Sequence, residues 1–333
     1  MTKVTIKDIA AILNTSPKTV SKALNNQPGV SKELRERIKK KARELNYVPN
    51  IFGRGLSGKS LRTIGIILPE NANPVYFFFI NGLEEKAAES DYDIILCISH
   101  EDLDREKKLI RVLLEKHVDG IIISPALPEA NHNIELLQQL EIPYILINRT
   151  IPNQKHLCVK ANSALGAYLA GQYLLQKGHS NIIHFTRKYS VSSVEDRIEG
   201  LKQVFEEHTL PFQEENIYRR CEVSVESAYI EMLQILRERR DFTAVFAYND
   251  IIAFGVMKAI HECRLRIPTD IAIMGFDNVL FSDICLVPLT TVNQDLFAIG
   301  SIAMEALLKK IHGEDDGQYP AVPEPYIVKR QSV

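Results

Sequence analysis

The 333-residue sequence has no long apolar run and no recognisable targeting segment. Its longest apolar runs, such as Val75–Ile80, are far too short to cross a bilayer. The first twenty residues are charged and interrupted, whereas a secretory signal has a basic start followed by an apolar core. These absences exclude a membrane-spanning chain and predict a cytoplasmic protein.

Cysteines are few and far apart. The sequence has five of them, with no CxxC pair and no neighbouring histidine at metal-ligand spacing. Reduced core residues are the expected role of all five: Cys97, Cys158, Cys221, Cys263 and Cys285. The sequence therefore predicts neither a disulfide framework nor a metal site.

The signatures of common enzyme classes are also missing. No GxxxxGK[ST] loop or GxGxxG turn follows a first strand, and there is no evident pair of catalytic carboxylates. Histidines such as His100, His184 and His261 form no triad with a serine or cysteine, so we interpret them as surface or core residues with satisfied hydrogen bonds. We expect no catalytic residue and no cofactor, which argues against a sugar kinase or a dehydrogenase.

The charge is distributed unevenly. Residues 1–60 carry 13 Lys and Arg against 4 Asp and Glu, whereas the remainder carries 27 against 38. A basic segment attached to an acidic body is typical of nucleic-acid binding, because neutralising phosphates releases counterions and supplies sequence-independent affinity. A merely solvated basic surface is the alternative that charge alone leaves open.

Three short helices are predicted in the basic segment. The first covers Thr5–Leu13, with Thr5 as N-cap. Ser16 caps the second, which has Pro17 at its first position and runs to about Asn25. Ser31 caps the third, Lys32–Leu45. Two helices joined by a tight turn and followed by a third form a helix-turn-helix unit.

The second helix is the candidate for reading DNA. In a helix-turn-helix unit only the exposed N-terminal residues of this helix reach base edges in the major groove. The candidate contacts in this unit are Thr5, Ser16, Pro17, Lys18, Thr19, Ser21, Lys22 and Asn25. An ordinary capped surface helix is the alternative.

From Thr63 the pattern changes to short apolar strands that alternate with helix-length segments. The first four are Thr63–Leu68, Asp93–Ser99, Gly120–Pro125 and Pro143–Asn148; the next four are Asn181–Thr186, Asn216–Cys221, Ala244–Asn249 and Ile271–Phe276. Near-continuous apolar strands indicate parallel sheets covered on both faces. Two lobes of the Rossmann type are favoured, because the helix Leu296–Ile311 and the strand Tyr326–Lys329 suit crossings between lobes. A barrel of eight βα units remains open.

The order of several segments resembles the lactose-repressor (LacI/GalR) family of bacterial regulators. In the head these are Val4–Leu13 (VTIKDIAAIL), Ser16–Asn25 (SPKTVSKALN), Val30–Ile38 (VSKELRERI) and Ala42–Asn50 (ARELNYVPN); further on they are Phe246–Gly255 (FAYNDIIAFG), Met274–Asn278 (MGFDN) and Leu289–Gly300 (LTTVNQDLFAIG). The resemblance implies an α/β sensor with parallel sheets, similar to type I periplasmic binding proteins, behind an all-α helix-turn-helix head. It divides the chain into a head at 1–49, a hinge at 50–61 and a sensor at 62–333. Lobe one is expected at about 62–160 and 292–322, and lobe two at about 163–290 and 323–333.

The resemblance also implies a homodimer on a pseudo-palindromic operator. In the family the hinge becomes helical on DNA and wedges a leucine into the minor groove, which unstacks and kinks the duplex. Leu56 occupies that position here, and Asn50 and Arg54 are further candidate contacts. Gly53 and Gly55 depart from the family's usual Ala-Arg pattern and weaken a helix by up to about 1 kcal/mol each. A flexible tether with an incidental leucine is the alternative.

A small polar effector, such as a sugar or sugar derivative, is expected between the lobes, where the carboxyl ends of parallel strands meet. The candidate contacts are Asn73, Phe77, Ser124, Asn148, Arg149, Arg187, Ser193, Arg197, Asn249 and Asp277. Phe77 suits a core position as well as a pocket, and Asp250 suits a helix cap as well as a ligand contact. The family often has Asp where this chain has Asn148, so no sugar preference transfers directly.

A solute-binding protein of a transport system shares the two-lobed sensor, but the basic head and the missing signal peptide argue against that function. The sequence does not decide between inducer and corepressor, or between repression and activation.

Overall fold

A computed structural model describes residues 4–47, 60–70, 73–152 and 156–333. The chain divides into two compact units, 1–61 and 62–333. None of the helices in the described ranges is long and apolar enough to span a membrane.

The first unit contains the three predicted helices, α1 (Ile6–Ile12), α2 (Pro17–Leu24) and α3 (Lys32–Glu44). Each begins where the sequence predicts, because the hydroxyls of Thr5, Ser16 and Ser31 accept backbone N–H groups of the first turns. Each ends beside an asparagine with positive φ, the left-handed conformation that closes helices: Asn14, Asn26 and Asn46. The core of this unit is formed by Ile9, Ala10, Val20, Ala23, Ile38 and Ala42.

Lobe one of the second unit is built on a parallel sheet of five strands in the order β2-β1-β3-β4-β5. The strands are β1 (Thr63–Leu68), β2 (Asp93–Ile98), β3 (Gly120–Ile123), β4 (Tyr144–Ile147) and β5 (Cys158–Val159). The intervening helices are α4 (Val75–Glu89), α5 (Leu103–Glu115) and α6 (Asn133–Gln139). Ile64 and Ile66 face α4, whereas Ile67 faces α5 and α6. Both faces of the sheet are therefore covered, which explains the near-continuous apolar strands.

Lobe two is built on a sheet of six strands in the order β11-β10-β9-β8-β6-β7, parallel except for the pair β10 and β11. The strands are β6 (Ile182–Arg187), β7 (Ile217–Cys221), β8 (Ala244–Ala247), β9 (Ala272–Phe276), β10 (Thr290–Asn293) and β11 (Tyr326–Val328). The helices are α7 (Ser163–Gln176), α8 (Ser192–Glu207), α9 (Val225–Glu238) and α10 (Asp250–Glu262). Helices α7 and α8 cover one face and α9 and α10 the other. Two separate sheets exclude the barrel that the strand count left open.

The predicted lobe boundary near 290–292 needs a correction. It falls inside β10, whose residues Thr290–Val292 pair with β9 and whose Asn293 pairs with Tyr326 of β11. The chain therefore leaves lobe two only after Asn293. The strand was missed because Thr290–Asn293 (TTVN) is polar in sequence, although its two threonines are completely buried.

The last helix, α11 (Leu296–His312), returns to lobe one and packs against α4. Two glycines allow the close approach of these helices. A Cβ at Gly82 would lie 2.0 Å from the carbonyl oxygen of Phe297, and one at Gly300 would lie 2.3 Å from that of Phe79. Since β11 then rejoins the sheet of lobe two, the lobes are linked by several chain crossings.

Candidate functional site

The exposed start of α2 is the candidate nucleic-acid site of the head. Ser16, Pro17 and Lys18 are exposed, and Thr19, Ser21 and Lys22 are half-buried. The Ser16 hydroxyl accepts the N–H of Thr19 at 3.1 Å and lies 2.8 Å from its hydroxyl. Ser16 thus fixes the first turn, which presents Pro17 and Lys18 outward.

Two other head candidates are also engaged in local hydrogen bonds. Thr5 forms a capping box with Asp8, in which the N–H of Thr5 donates to the Asp8 carboxylate at 2.7 Å. The Asn25 amide donates to the carbonyl oxygen of Ser21 at 2.8 Å. The hinge candidates Asn50, Arg54 and Leu56 lie outside the described residues.

Sequence reasoning missed Arg35, which joins α3 to the end of α2. Its guanidinium donates to the carbonyl oxygens of Ala23 at 3.2 Å and Gln27 at 2.6 Å. A cation there satisfies carbonyls that have no partner inside the helix. Nothing in the sequence marks this contact, because Arg35 and Gln27 meet only in the folded unit.

In the sensor, the carboxyl ends of the two sheets meet. The Glu101 carboxylate of lobe one accepts a hydrogen bond from Arg187 of lobe two at 2.9 Å. The N–H of Thr150 donates to the Ser192 hydroxyl at 3.2 Å. This edge between the sheets, called the cleft below, is where the sequence predicts the effector.

One cluster in the cleft is ionic. Arg149, 2% exposed, donates to both oxygens of Glu101 at 2.8 and 2.9 Å and to the carbonyl oxygen of Pro125 at 3.1 Å. Burial alone would raise the pKa of Glu101, but hydrogen bonds and charges of Arg149 and Arg187 outweigh it and hold the pKa at about 2. Glu101 is therefore ionised and links the two lobes through their arginines.

The second cluster lies at the ends of β8 and β9. Arg197 donates to the carbonyl oxygen of Tyr248, lies 3.5 Å from Asp277, and stacks between the rings of Tyr248 and Phe276. The Ser193 hydroxyl lies 2.9 Å from that of Tyr248. Burial raises the pKa of Asp277 to about 7, even though Arg197 favours its charged form. The Gln294 amide donates to Asp277 at 2.5 Å.

Several cleft groups are buried without a hydrogen-bond partner among the described residues. The atoms at predicted site positions are Ser124 Oγ, Arg187 Nε, Arg197 Nε and Asn249 Nδ2. Leaving a buried polar group unpaired costs about 1–3 kcal/mol. Ser124, Arg187 and Asn249 stand at the carboxyl ends of strands, and Arg197 of α8 contacts the ends of β8 and β9. Unpaired groups in such positions are typical of a site that binds a polar molecule.

The backbone near the cleft is also unusual. Non-glycine residues with positive φ follow β2, β3, β4 and β9: His100, Glu101, Leu127, Asn148, Asp277 and Asn278. Such conformations persist where the surrounding structure holds them, and they concentrate at binding sites.

Three predicted contacts have other local roles. The Asn73 side chain accepts the N–H of Val75 at 3.1 Å. Phe77 is 61% exposed on α4 and packs edge-on against Phe78, so neither a core position nor an enclosed pocket describes it. The side-chain oxygen Oδ1 of Asn249 caps α10 by accepting the N–H of Ile252, although the side-chain nitrogen Nδ2 has no described partner.

Asp250 is a structural residue. It is completely buried and accepts hydrogen bonds from the N–H of Val279 and the hydroxyls of Ser282 and Thr291. A Cβ at Gly275 would lie 2.2 Å from its carboxylate. Asn249 is the helix cap, and Asp250 instead ties α10 to β10 and to the loop that follows β9.

Glu101, Tyr248 and Gln294 were missed as members of the cleft. Tyr248 and Gln294 stand directly after β8 and β10, where the rule that selected their neighbours also applies. Glu101 lies three residues beyond the edge strand β2, and only its long side chain reaches Arg149. His184 is a core residue as expected, because it is buried and stacks on the ring of Phe246. Its Nδ1 lies 3.0 Å from the carbonyl oxygen of Phe246, but its Nε2 has no hydrogen-bond partner among the described residues, so the ring is only partly satisfied.

The described residues contain no group of three or more His, Cys, Asp or Glu that could hold a metal ion. All five cysteines are free.

Comparison with known proteins agrees with both units. The family described as "Bacterial regulatory proteins, lacI family" matches residues 5–50, and the "Periplasmic binding protein-like domain" matches residues 172–333. The ribose operon repressor of Halalkalibacterium halodurans is 33% identical over 308 residues, which cover 92% of this chain and 90% of the relative. The transcriptional repressor PurR of Vibrio atlanticus is 31% identical over 331 residues, 99% of this chain and 98% of the relative.

Solved structures show the same architecture. The lac repressor dimer bound to operator and an anti-inducer superimposes with a TM-score of 0.88 at 24% identity, over 99% of both chains. A LacI family regulator from Enterococcus faecium with bound ribose gives 0.71 at 27% identity, over 81% of this chain and 98% of that one. These relatives are transcriptional regulators and not enzymes. The chain therefore belongs to the lacI family of DNA-binding transcriptional regulators, as its sequence motifs predict.

Proposed function

We propose that the protein is a cytoplasmic repressor whose operator affinity is controlled by a small polar effector bound in the cleft. The observation that carries the effector proposal is a set of four buried polar groups without a described partner, on Ser124, Arg187, Arg197 and Asn249. Hydroxyl, amide and guanidinium groups suit the hydroxyls of a sugar or sugar derivative. The ribose bound to the Enterococcus faecium regulator supports a ligand of this class.

DNA recognition is assigned to the head. Lys18 and Lys22 stand on the helix that enters the major groove in helix-turn-helix proteins, next to Thr19 and Ser21. The basic surplus of residues 1–60 supplies affinity for phosphates and makes binding dependent on salt.

We assign the dimer interface in part to an apolar surface on lobe two. Four large side chains in or near the short helix Leu280–Ser282, which follows β9, are 52–82% exposed: Leu280, Phe281, Ile284 and Leu286. They adjoin a groove of about 640 Å³ between α10 and residues 281–287. Exposed apolar surface of this kind marks association sites, and a second copy of the chain is the occupant that suits a pseudo-palindromic operator. The lac repressor, solved as a dimer on its operator, supports this choice.

The effector would act by binding two arrangements of the lobes with different affinity. Glu101–Arg187 and Lys160–Asp196, at 2.9 and 2.7 Å, are contacts that such a rearrangement would change. A coupling of about 1–3 kcal/mol changes operator occupancy severalfold to about a hundredfold.

For the hinge we propose that Leu56 wedges into the minor groove. Replacing Leu56 by Ala should weaken operator binding at fixed salt and leave binding to unrelated duplex unchanged. Unchanged operator affinity would contradict this role of Leu56.

The proposed function is tested by measuring operator binding of the purified protein by fluorescence anisotropy, with and without a panel of sugars and sugar derivatives. One compound of the panel should shift operator affinity by fivefold or more, on the order of the coupling above. Asn249→Ala, which removes one cleft group, should abolish that shift and leave operator binding intact. Operator binding that no compound of the panel changes would contradict effector control.

A further inference from the structure

Three buried cations lie at the cleft. Arg149, Arg187 and Arg197 are at most 5% exposed, and guanidinium groups stay protonated. The carboxylates near them are Glu101, Asp277, the half-buried Glu70 and the buried Glu106. Burial raises the pKa of Glu70, Glu106 and Asp277 and so favours their neutral forms, whereas the arginines hold Glu101 ionised. Buried cations with few ionised partners are unfavourable, so this cleft is suited to receive an anion.

The geometry of Arg187 points to where an anion would bind. One of its terminal nitrogens donates to Glu101 at 2.9 Å, while its Nε is buried and has no partner among the described residues. The Nε and terminal N–H groups of a guanidinium form a fork that matches the two oxygens of a carboxylate or phosphate. The partnerless Ser124 hydroxyl and Arg197 Nε are further donors at the strand ends.

Glu101 occupies an unusual position beside this fork. It follows His100, and both residues have a φ of +56°, a left-handed conformation that is unfavourable for residues other than glycine. The turn thereby presents a carboxylate that bridges Arg149 of lobe one and Arg187 of lobe two. Its side chain is still 20% exposed, so it can be displaced by a solute.

From these contacts we infer that the effector carries an oxyanion, a carboxylate or a phosphate, which binds Arg187 in exchange for Glu101. The inference rests on the proposed function and specifies the chemical class of its ligand: a polyhydroxylated compound with one acidic group. The exchange breaks an ionic contact between the lobes. It therefore supplies the differential interaction that a ligand needs to shift a conformational equilibrium.

Matched pairs of compounds test the inference by isothermal titration calorimetry on the full chain. Each pair shares a sugar skeleton and differs in the acidic group: ribose against ribose 5-phosphate, ribose against ribonate, and glucose against gluconate. At least one acidic compound should bind about 10- to 100-fold more tightly than its neutral partner, the effect expected of hydrogen bonds to a charged group. Comparing the phosphate pair with the two carboxylate pairs identifies which oxyanion the cleft binds.

The variant Glu101→Gln removes the competing charge and should tighten binding of that acidic compound about tenfold more than binding of its neutral partner. The matched control is Asp270→Asn, which removes a carboxylate that pairs with Arg266 at 2.9 Å on the surface of lobe two. It should change neither affinity. The comparison of acidic and neutral compounds on the unaltered chain does not depend on whether Glu101→Gln folds.

Three results would each overturn the inference. The neutral partners could bind as tightly as the acidic compounds or more tightly, the acidic compound could bind Glu101→Gln more weakly than the unaltered chain, or no acidic compound could bind. Operator release by a neutral sugar would overturn the inference and leave the proposed function intact. If no compound, acidic or neutral, alters operator affinity, the proposed effector control is itself contradicted.

Discussion

The bridging role of Glu101 has a measurable consequence for stability. Its pKa lies at about 2 in the folded chain, against an ordinary value of 4.5. A difference of this size corresponds to about 3 kcal/mol of stabilisation at neutral pH. The 20% exposure of the side chain lets solvent screen part of that amount. We expect Glu101→Gln to lower the free energy of unfolding of the sensor by about 2–3 kcal/mol at pH 7, because Arg149 and Arg187 lose their shared anion.

The pH dependence has a definite sign. Since folding lowers the pKa of Glu101, the stabilisation is complete above its ordinary value of 4.5 and disappears as the pH falls towards 2. Urea unfolding of the full chain and of Glu101→Gln, followed by circular dichroism between pH 3 and 8, measures the difference. The gap between the two proteins should shrink steadily below pH 4.5.

Asp270→Asn is again the matched control. Arg266 holds the pKa of Asp270 at about 2 as well, through hydrogen bonds on the exposed surface. Its removal should have a much smaller effect that high salt abolishes, whereas the buried Glu101 effect should persist in salt. Equal losses in the two variants, or a gap that does not depend on pH, would refute the assignment of Glu101 as a buried bridge between the lobes.

Three further predictions concern other parts of the chain. In the unaltered chain the sensor should lose stability as the pH rises from 4 to 7, because burial raises the folded pKa of Asp277 to about 7 and disfavours its charged form. Asp277→Asn should remove this loss, which urea unfolding at several pH values measures. Ser16→Ala should weaken α2 by about 1 kcal/mol, seen as faster hydrogen exchange of its first-turn amides. Leu286→Glu alters a side chain that is 82% exposed, so it should leave folding intact and weaken self-association by at least about 100-fold in analytical ultracentrifugation. An unchanged pH profile, exchange rate or dimer fraction would contradict the respective assignment.

The bounds of the head helices could be predicted because local chemistry sets them. Thr5, Ser16 and Ser31 accept the first backbone N–H groups of their own helices, so a few neighbouring residues contain the whole signal. Most strands of the sensor were visible for a related reason, since a strand buried on both faces is a continuous apolar run. The polar strand Thr290–Asn293 and the two-residue strand Cys158–Val159 offered no such run.

The candidate site could be predicted only in outline. The rule that ligands bind beyond the carboxyl ends of parallel strands selected Ser124, Arg149, Arg187 and Asp277, which the structure gathers at the cleft. The partners of these side chains are distant in sequence: Glu101 lies 48 residues from Arg149 and 86 from Arg187. Such pairings depend on the arrangement of both lobes, which no local pattern encodes.

The central claim is that a polar effector in the cleft controls binding to a specific DNA sequence. Selection of bound sequences from a random duplex pool, repeated with and without neutral and acidic sugar derivatives, tests it most directly. Effector control predicts enrichment of one pseudo-palindromic sequence and a change in that enrichment with one compound. Failure to enrich any sequence at moderate salt would contradict it.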